Sequence, residues 1–251
     1  EHVNQLSPDF VITGGDLIMD ALNQKYSRAD SLYALYNTVS KNFGMPVYNT
    51  LGNHEVFGLY ESSGISQQHA EYGKKMFIDR MGYENTYYSF DHKDWHFIII
   101  DGIGFTPDRK YYGVIDNEQL AWIKEDLTKI DATTPIVLST HIPFVSVFGQ
   151  MQDDPLSAGS ASTRITNGKE VLEAFSEHNL KLVLQGHLHE VEEINYRGTT
   201  YITGGAVCGS WWKGDRDGFA EGFAVIEVVG DDFEWSYKSY GWKAEKSQDN
   251  E

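Results

Sequence analysis

Six residues whose side chains bind metal ions or move protons follow short apolar segments of the chain. They are Asp16, Asn53, His54, His141, His187 and His189. Carboxylate, amide and imidazole groups are hard to borderline ligands that suit manganese, iron or zinc. The chain has one cysteine, which excludes a cysteine-rich zinc site and an internal disulfide framework.

Each of these residues also has an ordinary structural interpretation. Asp16, after two glycines, could cap a helix, and Asn53 could be a turn residue. His141, before Ile-Pro, could be a structural histidine. In the segment GHLH an extended backbone would point both imidazoles to the same side. Four such signals, each at the end of an apolar run, favour one shared metal site over unrelated caps and turns.

The apolar runs predict the elements that position these side chains. Short β-branched segments predict buried strands, and they are FVIT, MPVYNT, PIVLST and KLVLQ. Helical spacing of Leu32, Leu35, Tyr36 and Val39 predicts a helix over residues 28–43. A second amphipathic helix is predicted over residues 116–127, with Asp116 as its N-cap.

Strands that alternate with helices indicate a layered α/β fold. In an open α/β sheet the carboxyl ends of the strands meet at one crevice, so the six residues would converge there. Residues 87–102 predict a hairpin, and residues 192–242 predict a β-rich part of the same domain. Residues 146–168 hold few apolar residues, which is typical of a long loop or lid.

Composition narrows the function classes. The 251 residues, 41% of them hydrophobic, suit a single domain over 1–251. The net charge of −17 repels a phosphate backbone, so nucleic-acid polymers are not expected partners. No apolar run is long enough for a membrane span. Bound metal ions would supply the positive charge that an acidic protein needs to bind a phosphate ester. The oligomeric state stays open.

The segments GGDLIMD, GNHE, THIPF and GHLHE, in that order, resemble the motif series of the calcineurin-like metallophosphoesterases, which include purple acid phosphatases and many phosphodiesterases. The resemblance extends from Pro8 to about Val229. It implies an α/β fold of four layers: a central β-sandwich flanked by helices, with a dinuclear metal site at the strand ends. It also implies two metal ions (Mn, Fe or Zn) and a small organic phosphate ester as the substrate.

The same resemblance implies a role for each motif residue. Asp16 matches the aspartate that bridges both ions. The remaining ligands of the second ion match Asn53, His141 and His187. His189 matches a ligand of the first ion. A water between the ions would attack phosphorus in line, and His54 would assist the leaving group. Glu55 would orient His54 or cap a helix.

One part of the family pattern is absent. An Asp-x-His on a first strand, which supplies two ligands of the first ion, does not precede Asp16. The sequence therefore has one complete metal shell and half of another. We expect the natural chain to be longer, with a first strand that residues 1–251 lack; the alternatives are a degenerate enzyme and a strand supplied by another chain.

Residues Gly204 to Gly218 are rich in glycine and include Trp211, Trp212, Lys213 and Arg216. At the rim of the site the tryptophans would stack on a sugar or base and the cations would contact phosphate. Alternatively, the tryptophans fill the edge of the core. The run GSWWKG is similar to a segment of secreted bacterial members of the family, which favours a secreted or periplasmic location.

Three functions are compatible with these observations. The first is hydrolysis of phosphate monoesters or diesters. The second is a catalytically degenerate module that uses the fold for binding, although such a scaffold has no need of His54. The third is a carbohydrate-binding β domain built on the tryptophans, which leaves GNHE and GHLH unexplained.

Overall fold

A computed structural model describes residues 1–245 of the chain. A short 3-10 helix covers Glu61–Ser63. The other elements are, in chain order, α1 His2–Leu6, β1 Val11–Thr13, α2 Tyr26–Ser40, β2 Val47–Asn49, α3 Lys75–Met81, β3 Tyr88–His92, β4 Trp95–Ile99, β5 Ile103–Phe105, β6 Tyr111–Gly113, α4 Asn117–Leu127, β7 Pro135–Ser139, α5 Phe148–Gln152, α6 Gly168–Glu173, β8 Asn179–Gln185, β9 Val191–Tyr196, β10 Thr199–Gly204, β11 Gly222–Val229 and β12 Asp232–Ser239.

The largest sheet has six strands in the order β3-β4-β7-β8-β10-β9. Its centre is parallel, because β4, β7, β8 and β10 pair in the same direction, whereas β3 and β9 are antiparallel edges. Every residue of β4 and β7 is buried. Burial on both faces explains why these strands are continuous apolar runs in the sequence.

Alternate residues of the large sheet pack against different layers. One face contributes Ile98, Leu138 and Val183 to a core shared with the helices. The other face contributes Phe97, Val137 and Leu182 to a second cluster. Packed against that cluster are Phe10, which precedes β1, and residues of the two-stranded sheets β1-β2 and β11-β12, namely Ile12, Ile226, Phe233 and Trp235. The layered α/β fold with sheets packed face to face is therefore confirmed.

Several local predictions are also confirmed. The hairpin forms as β3 and β4, and Asp116 caps α4 by accepting a hydrogen bond from the Gln119 backbone N–H at 2.8 Å. The prediction of which face of α2 is buried was wrong in part. Leu32 is buried, but Leu35 and Val39 are 60% and 55% exposed. Ala29 and Tyr33 are buried instead, because the helix turns a neighbouring stripe toward the core.

The strands place four loops at one end of the molecule. β1 and β2 are parallel neighbours that end before Gly14 and Thr50, and β7 and β8 are parallel neighbours that end before Thr140 and Gly186. All four sequence motifs lie in these loops. Among residues 1–245 no helix is both long enough and apolar enough to cross a membrane. The single-domain boundaries stay a prediction.

Candidate metal centre

Asp16 follows β1 through two glycines and has an unusual backbone. Its φ is 54°, in the left-handed region that few residues other than glycine adopt. Its Oδ1 accepts a hydrogen bond from the His54 backbone N–H at 3.0 Å, which joins the GGD loop to the GNHE loop. Asp16 therefore caps no helix, and its carboxylate links two motif loops.

The side chains of His141, Asn53 and His187 meet beside this carboxylate. His141 Nε2 lies 3.1 Å from Asn53 Oδ1, 3.0 Å from His187 Nδ1 and 3.2 Å from Asp16 Oδ2. His141 is 1% exposed and Asn53 is 3% exposed, so water does not separate these groups from one another. The four residues come from four different loops, as the predicted strand ends require. We call them the inner cluster.

Hydrogen bonding fixes which nitrogen of His141 faces the inner cluster without a proton. His141 Nδ1 lies 2.7 Å from the Gly14 carbonyl oxygen, which can only accept, so Nδ1 carries the hydrogen. In the neutral ring Nε2 is then an acceptor. It points at a carboxylate oxygen, an amide oxygen and a second imidazole nitrogen. A buried group of this kind is stabilised by a shared positive charge, which a proton on His141 or a metal ion would supply.

Charge interactions within the inner cluster also favour a positive charge at this place. Burial alone would raise the pKa of Asp16, but the charge on nearby histidines, His141 above all, holds the pKa well below its usual range. Burial would lower the pKa of His141, yet the Asp16 carboxylate raises it. Burial and the charge of His141 lower the pKa of His187 to about 3. His141 thus gains a proton more readily than His187, and a metal ion would take the place of that charge.

The donor set fits a metal ion. Ligand atoms of Asp16, His141 and His187 all lie within 4.8 Å of one another. One carboxylate with two imidazoles and an adjacent amide oxygen is a set that zinc, manganese or iron accepts.

Glu55 does not orient His54 or cap a helix as predicted. It is fully buried, and its carboxylate accepts backbone N–H groups of Gly52 at 2.8 Å, Asp16 at 2.9 Å, Leu17 at 2.7 Å and Ile18 at 3.2 Å. Burial, followed by the charge of Asp16, raises its pKa to about 7. Glu55 therefore fixes the backbone of the GGD loop from beneath, a role the sequence did not reveal because its partners are main-chain atoms.

His54 lies at the open side of the inner cluster. Its Nε2 is 3.8 Å from Asp16 Oδ2, and its Nδ1 hydrogen-bonds to the backbone oxygen of Met19. Since a carbonyl only accepts, Nδ1 carries a proton and Nε2 is the nitrogen that faces the cluster.

The two histidines of GHLH are separated, contrary to the expectation that they share one side of a strand. β8 ends at Gln185, and His187 and His189 have left-handed φ values of 70° and 61°. Period-two alternation therefore does not apply. His187 joins the inner cluster, whereas the Nδ1 of His189 donates to the Gly209 carbonyl at 2.7 Å and its ring lies against Trp211.

The four predicted substrate contacts lie in an exposed loop over residues 205–219, which we call the tryptophan loop. Trp211 and Trp212 are 45% and 52% exposed, so they do not fill the edge of the core. The Arg216 guanidinium lies 5.3 Å from the centre of the Trp211 ring, and its Nε lies 3.1 Å from Asp217 Oδ2. Lys213 is exposed.

Tyr111 is a neighbour of the site that sequence reasoning missed. Its ring packs edge-on against His187, with ring centres 6.0 Å apart. Burial, with nearby Tyr60 and Asp16, raises the pKa of its phenol to about 12. The only available signal was its place in the short segment YYG of β6, and no motif marks that segment.

Two glycines let the motif loops touch. A Cβ at Gly15 would lie 2.5 Å from His141 Nδ1, and a Cβ at Gly52 would overlap the backbone nitrogen and Oδ1 of Asp16. Neither position has room for a side chain. Both glycines are therefore part of the site although neither carries a functional group.

Sequence comparison matches most of the chain, including all four motif loops, to one protein family. The family model described as calcineurin-like phosphoesterase matches residues 1–191. Purple acid phosphatase 23 of Arabidopsis thaliana is 29% identical over 149 residues, which are 57% of this chain and 28% of that protein. A probable glycerophosphodiester phosphodiesterase of Arcobacter nitrofigilis is 26% identical over 192 residues, or 76% of this chain and 60% of that protein. The chain thus spans only part of both relatives.

Solved structures share the fold at low identity. A dimetal phosphatase from Danio rerio matches 94% of this chain and 82% of its own, with a TM-score of 0.63 and 16% identity. GAP50, the anchor in the inner membrane complex of Plasmodium, matches 96% of this chain and 78% of its own, with a TM-score of 0.57 and 17% identity. Together with the family match over 1–191, the fold places this chain in the calcineurin-like phosphoesterase family.

Proposed function

We propose that the chain is a metal-dependent hydrolase of phosphate monoesters or diesters that acts on small organic phosphates. The observation that carries the proposal is the convergence of possible ligand atoms: His141 Nε2 lies within 3.2 Å of an amide oxygen, an imidazole nitrogen and a carboxylate oxygen. A buried arrangement of this kind suits a cation and serves no evident packing purpose.

The residues divide between two ions. Asp16, Asn53, His141 and His187 would hold one ion, and Asp16 with His189 would contribute to a second. When bound, such ions lower the pKa of the attacking water and neutralise charge on the phosphoryl oxygens. Manganese, iron and zinc all suit these ligands. The Nδ1 bond of His189 to Gly209 leaves its Nε2 as the available ligand atom.

His54 is the candidate proton donor. With Nδ1 committed to the Met19 oxygen, a proton on Nε2 lies on the side of the inner cluster. The leaving oxygen of an ester needs a proton or positive charge as its bond to phosphorus breaks. Tyr111, whose ring packs edge-on against His187, is a candidate contact for the phosphoryl group.

Turnover of p-nitrophenyl phosphate and bis(p-nitrophenyl) phosphate with added Mn²⁺ tests the proposal. Asp16→Asn keeps the size of the side chain and its acceptor for the His54 N–H but removes the charge. We expect it to lower kcat/KM by about 10³-fold, because a metal ion supplies several kcal/mol to the reaction. Asp20→Asn is the matched control, since Asp20 only accepts hydrogen bonds within its own turn.

Absence of metal-dependent turnover with both substrates would favour the second candidate, a binding module. One observation supports that alternative: the Asp16 carboxylate lies 3.2 Å from His141 Nε2 and raises the pKa of His141, so a proton there would satisfy the inner cluster without a metal ion. Elemental analysis separates the two. The enzyme is expected to contain at least one tightly bound transition-metal ion per chain, and a module without metal would contain none.

A further inference from the structure

The tryptophan loop brings one indole directly onto a candidate metal ligand. The ring centre of Trp211 lies 4.8 Å from that of His189, at an interplanar angle of 36°. The His189 Nδ1 bond to Gly209, two residues before Trp211, ties the loop to the same histidine. The organic part of a phosphate ester held at the metal centre would therefore extend across Trp211.

Hydrogen bonds within the tryptophan loop hold its backbone in a defined conformation. Backbone hydrogen bonds join Trp212 N–H to Cys208 O at 2.7 Å, Ser210 N–H to Gly214 O at 2.8 Å, and Lys213 N–H to Ser210 O at 2.9 Å. Trp211 and Trp212 both have left-handed φ values, 50° and 65°. Such backbone persists where the surroundings hold it, and it concentrates at functional sites.

The two tryptophans differ in their contacts. The Trp212 ring packs edge-on against Trp242, with centres 5.3 Å apart, so its neighbour is another part of the surface. Trp211 is the one that contacts His189. We therefore assign substrate contact to Trp211 and an anchoring role to Trp212.

Charge near Trp211 favours an uncharged ring as the ligand. The Arg216 guanidinium lies over the indole, and its Nε is 3.1 Å from a carboxylate oxygen of Asp217, so Arg216 has an ion-pair partner. Glu190, 6% exposed, adds negative charge near Arg216. A second anionic group would compete with Asp217 and Glu190 for Arg216, whereas a flat ring would meet a half-exposed indole.

We propose that Trp211 forms a leaving-group subsite, and that the preferred substrates are phosphate esters whose alcohol carries a flat ring, such as an aryl or nucleoside group, rather than a short alkyl group. This inference rests on the proposed function, because it places the phosphate at the metal centre. Aromatic stacking accepts any ring with a π-face, so the subsite selects a class and not one compound.

Binding of two phosphonates that the enzyme cannot hydrolyse tests the subsite. Phenylphosphonate and methylphosphonate present the same head group to the metal centre and differ in the ring. With the Mn²⁺-loaded protein, calorimetry is expected to give a Kd for phenylphosphonate roughly 10-fold lower than for methylphosphonate, within the range measured for ring stacking. Trp211→Ala should reduce this ratio to about 1 by removing that stacking.

Tyr196→Ala is the matched control. Tyr196 is 53% exposed and has Arg197 5.3 Å over its ring, the same distance at which Arg216 lies over Trp211. It lies at the β9–β10 turn and contacts none of the candidate ligands in the described part of the chain. The control should keep the full preference for phenylphosphonate.

Two further variants keep the test decisive if Trp211→Ala does not fold. Trp211→Phe should keep most of the preference, and Trp211→Leu should lose it, because leucine is apolar but has no π-face. Equal binding of both phosphonates by the unchanged protein, or an unaltered ratio in Trp211→Leu, would overturn the subsite. If metal-dependent turnover of p-nitrophenyl phosphate persists in that case, the proposed function stands alone. If turnover is absent too, the proposed function has failed first.

Discussion

The two histidines of GHLH divide the site into regions that are built differently. His187 belongs to the inner cluster, where His141 and Asn53 are almost fully buried and parallel strands hold the loops. His189 belongs to an outer region, where its partners are the Gly209 carbonyl and the exposed Trp211. The inner region is held by buried strands and the outer region by a surface loop. Chemistry and substrate choice would thus be separable within one site.

Replacing one histidine from each region gives the largest expected contrast. His141→Ala removes the ring on which the other three residues of the inner cluster converge, and we expect about a 10³-fold or greater loss in kcat/KM with loss of bound metal. His189→Ala should cost at least about tenfold less, because it leaves the inner cluster complete. His178→Ala is the control, because His178 lies just before the first residue of β8, whereas the site lies beyond its last residue. Equal losses in His141→Ala and His189→Ala would break the proposed division.

Substitution of Glu55 tests whether the metal ligands of the inner region depend on this buried carboxylate. Glu55→Ala leaves four backbone N–H groups without their acceptor. We expect metal affinity to fall by roughly 10- to 100-fold, and the free energy of unfolding to fall by about 3 kcal/mol, since each unsatisfied buried donor costs about 1–3 kcal/mol and some gain water. Metal titration and urea unfolding measure the two effects.

Exposed Glu61 supplies the matched control for that variant, because Glu61→Ala removes a carboxylate at the protein surface. Loss of stability with unchanged metal affinity in Glu55→Ala would show that Glu55 supports the fold and not the ligands.

The smallest effect concerns the other end of the large sheet, where His96 at the start of β4 bonds Asp126 at 3.0 Å and Asp91 at 2.6 Å. Burial alone would lower the pKa of His96, but the two carboxylates raise it above 6.5. Burial would raise the pKa of Asp126, but His96 lowers it below 3.8. The stabilisation from His96 is thus complete below pH 6.5 and is lost as the pH rises through its raised pKa.

The contribution of Asp126 has the opposite sign. It is complete above pH 3.8 and is lost as the pH falls through its lowered pKa, so the pair stabilises most between these limits. Asp126→Asn should lower the free energy of unfolding by about 1–3 kcal/mol near pH 5.5, less at pH 9. Turnover should not change, and exposed Glu125→Gln is the control. A change in turnover would show that the site responds to the far end of the sheet.

The inner cluster was predictable because strand ends converge whatever the details of packing. Apolar runs reveal where β1, β2, β7 and β8 end. The polar residues that follow these strands are then expected at the same edge of the fold. The apolar pattern does not predict in which direction a side chain points once the strand has ended. His187 and His189 diverge because their left-handed backbone breaks the alternation that a strand would impose.

Contacts to the main chain, and contacts between distant segments, could not be predicted from the sequence either. The role of Glu55 depends on N–H groups that every residue carries, so no pattern of side chains marks it. Tyr111 reaches His187 through the β5–β6 hairpin, a contact between segments 76 residues apart in number. The buried stripe of α2 differs from its predicted stripe because tertiary packing chose between two faces of similar polarity.

Gly15 and Gly52 have a consequence for variation. A side chain at either position would occupy the space of His141 or Asp16. In a saturation mutagenesis experiment scored by turnover, these two positions should be as intolerant as the ligands, although neither donates an electron pair or a proton. The spacing between the motif loops is therefore fixed by the absence of two methyl groups.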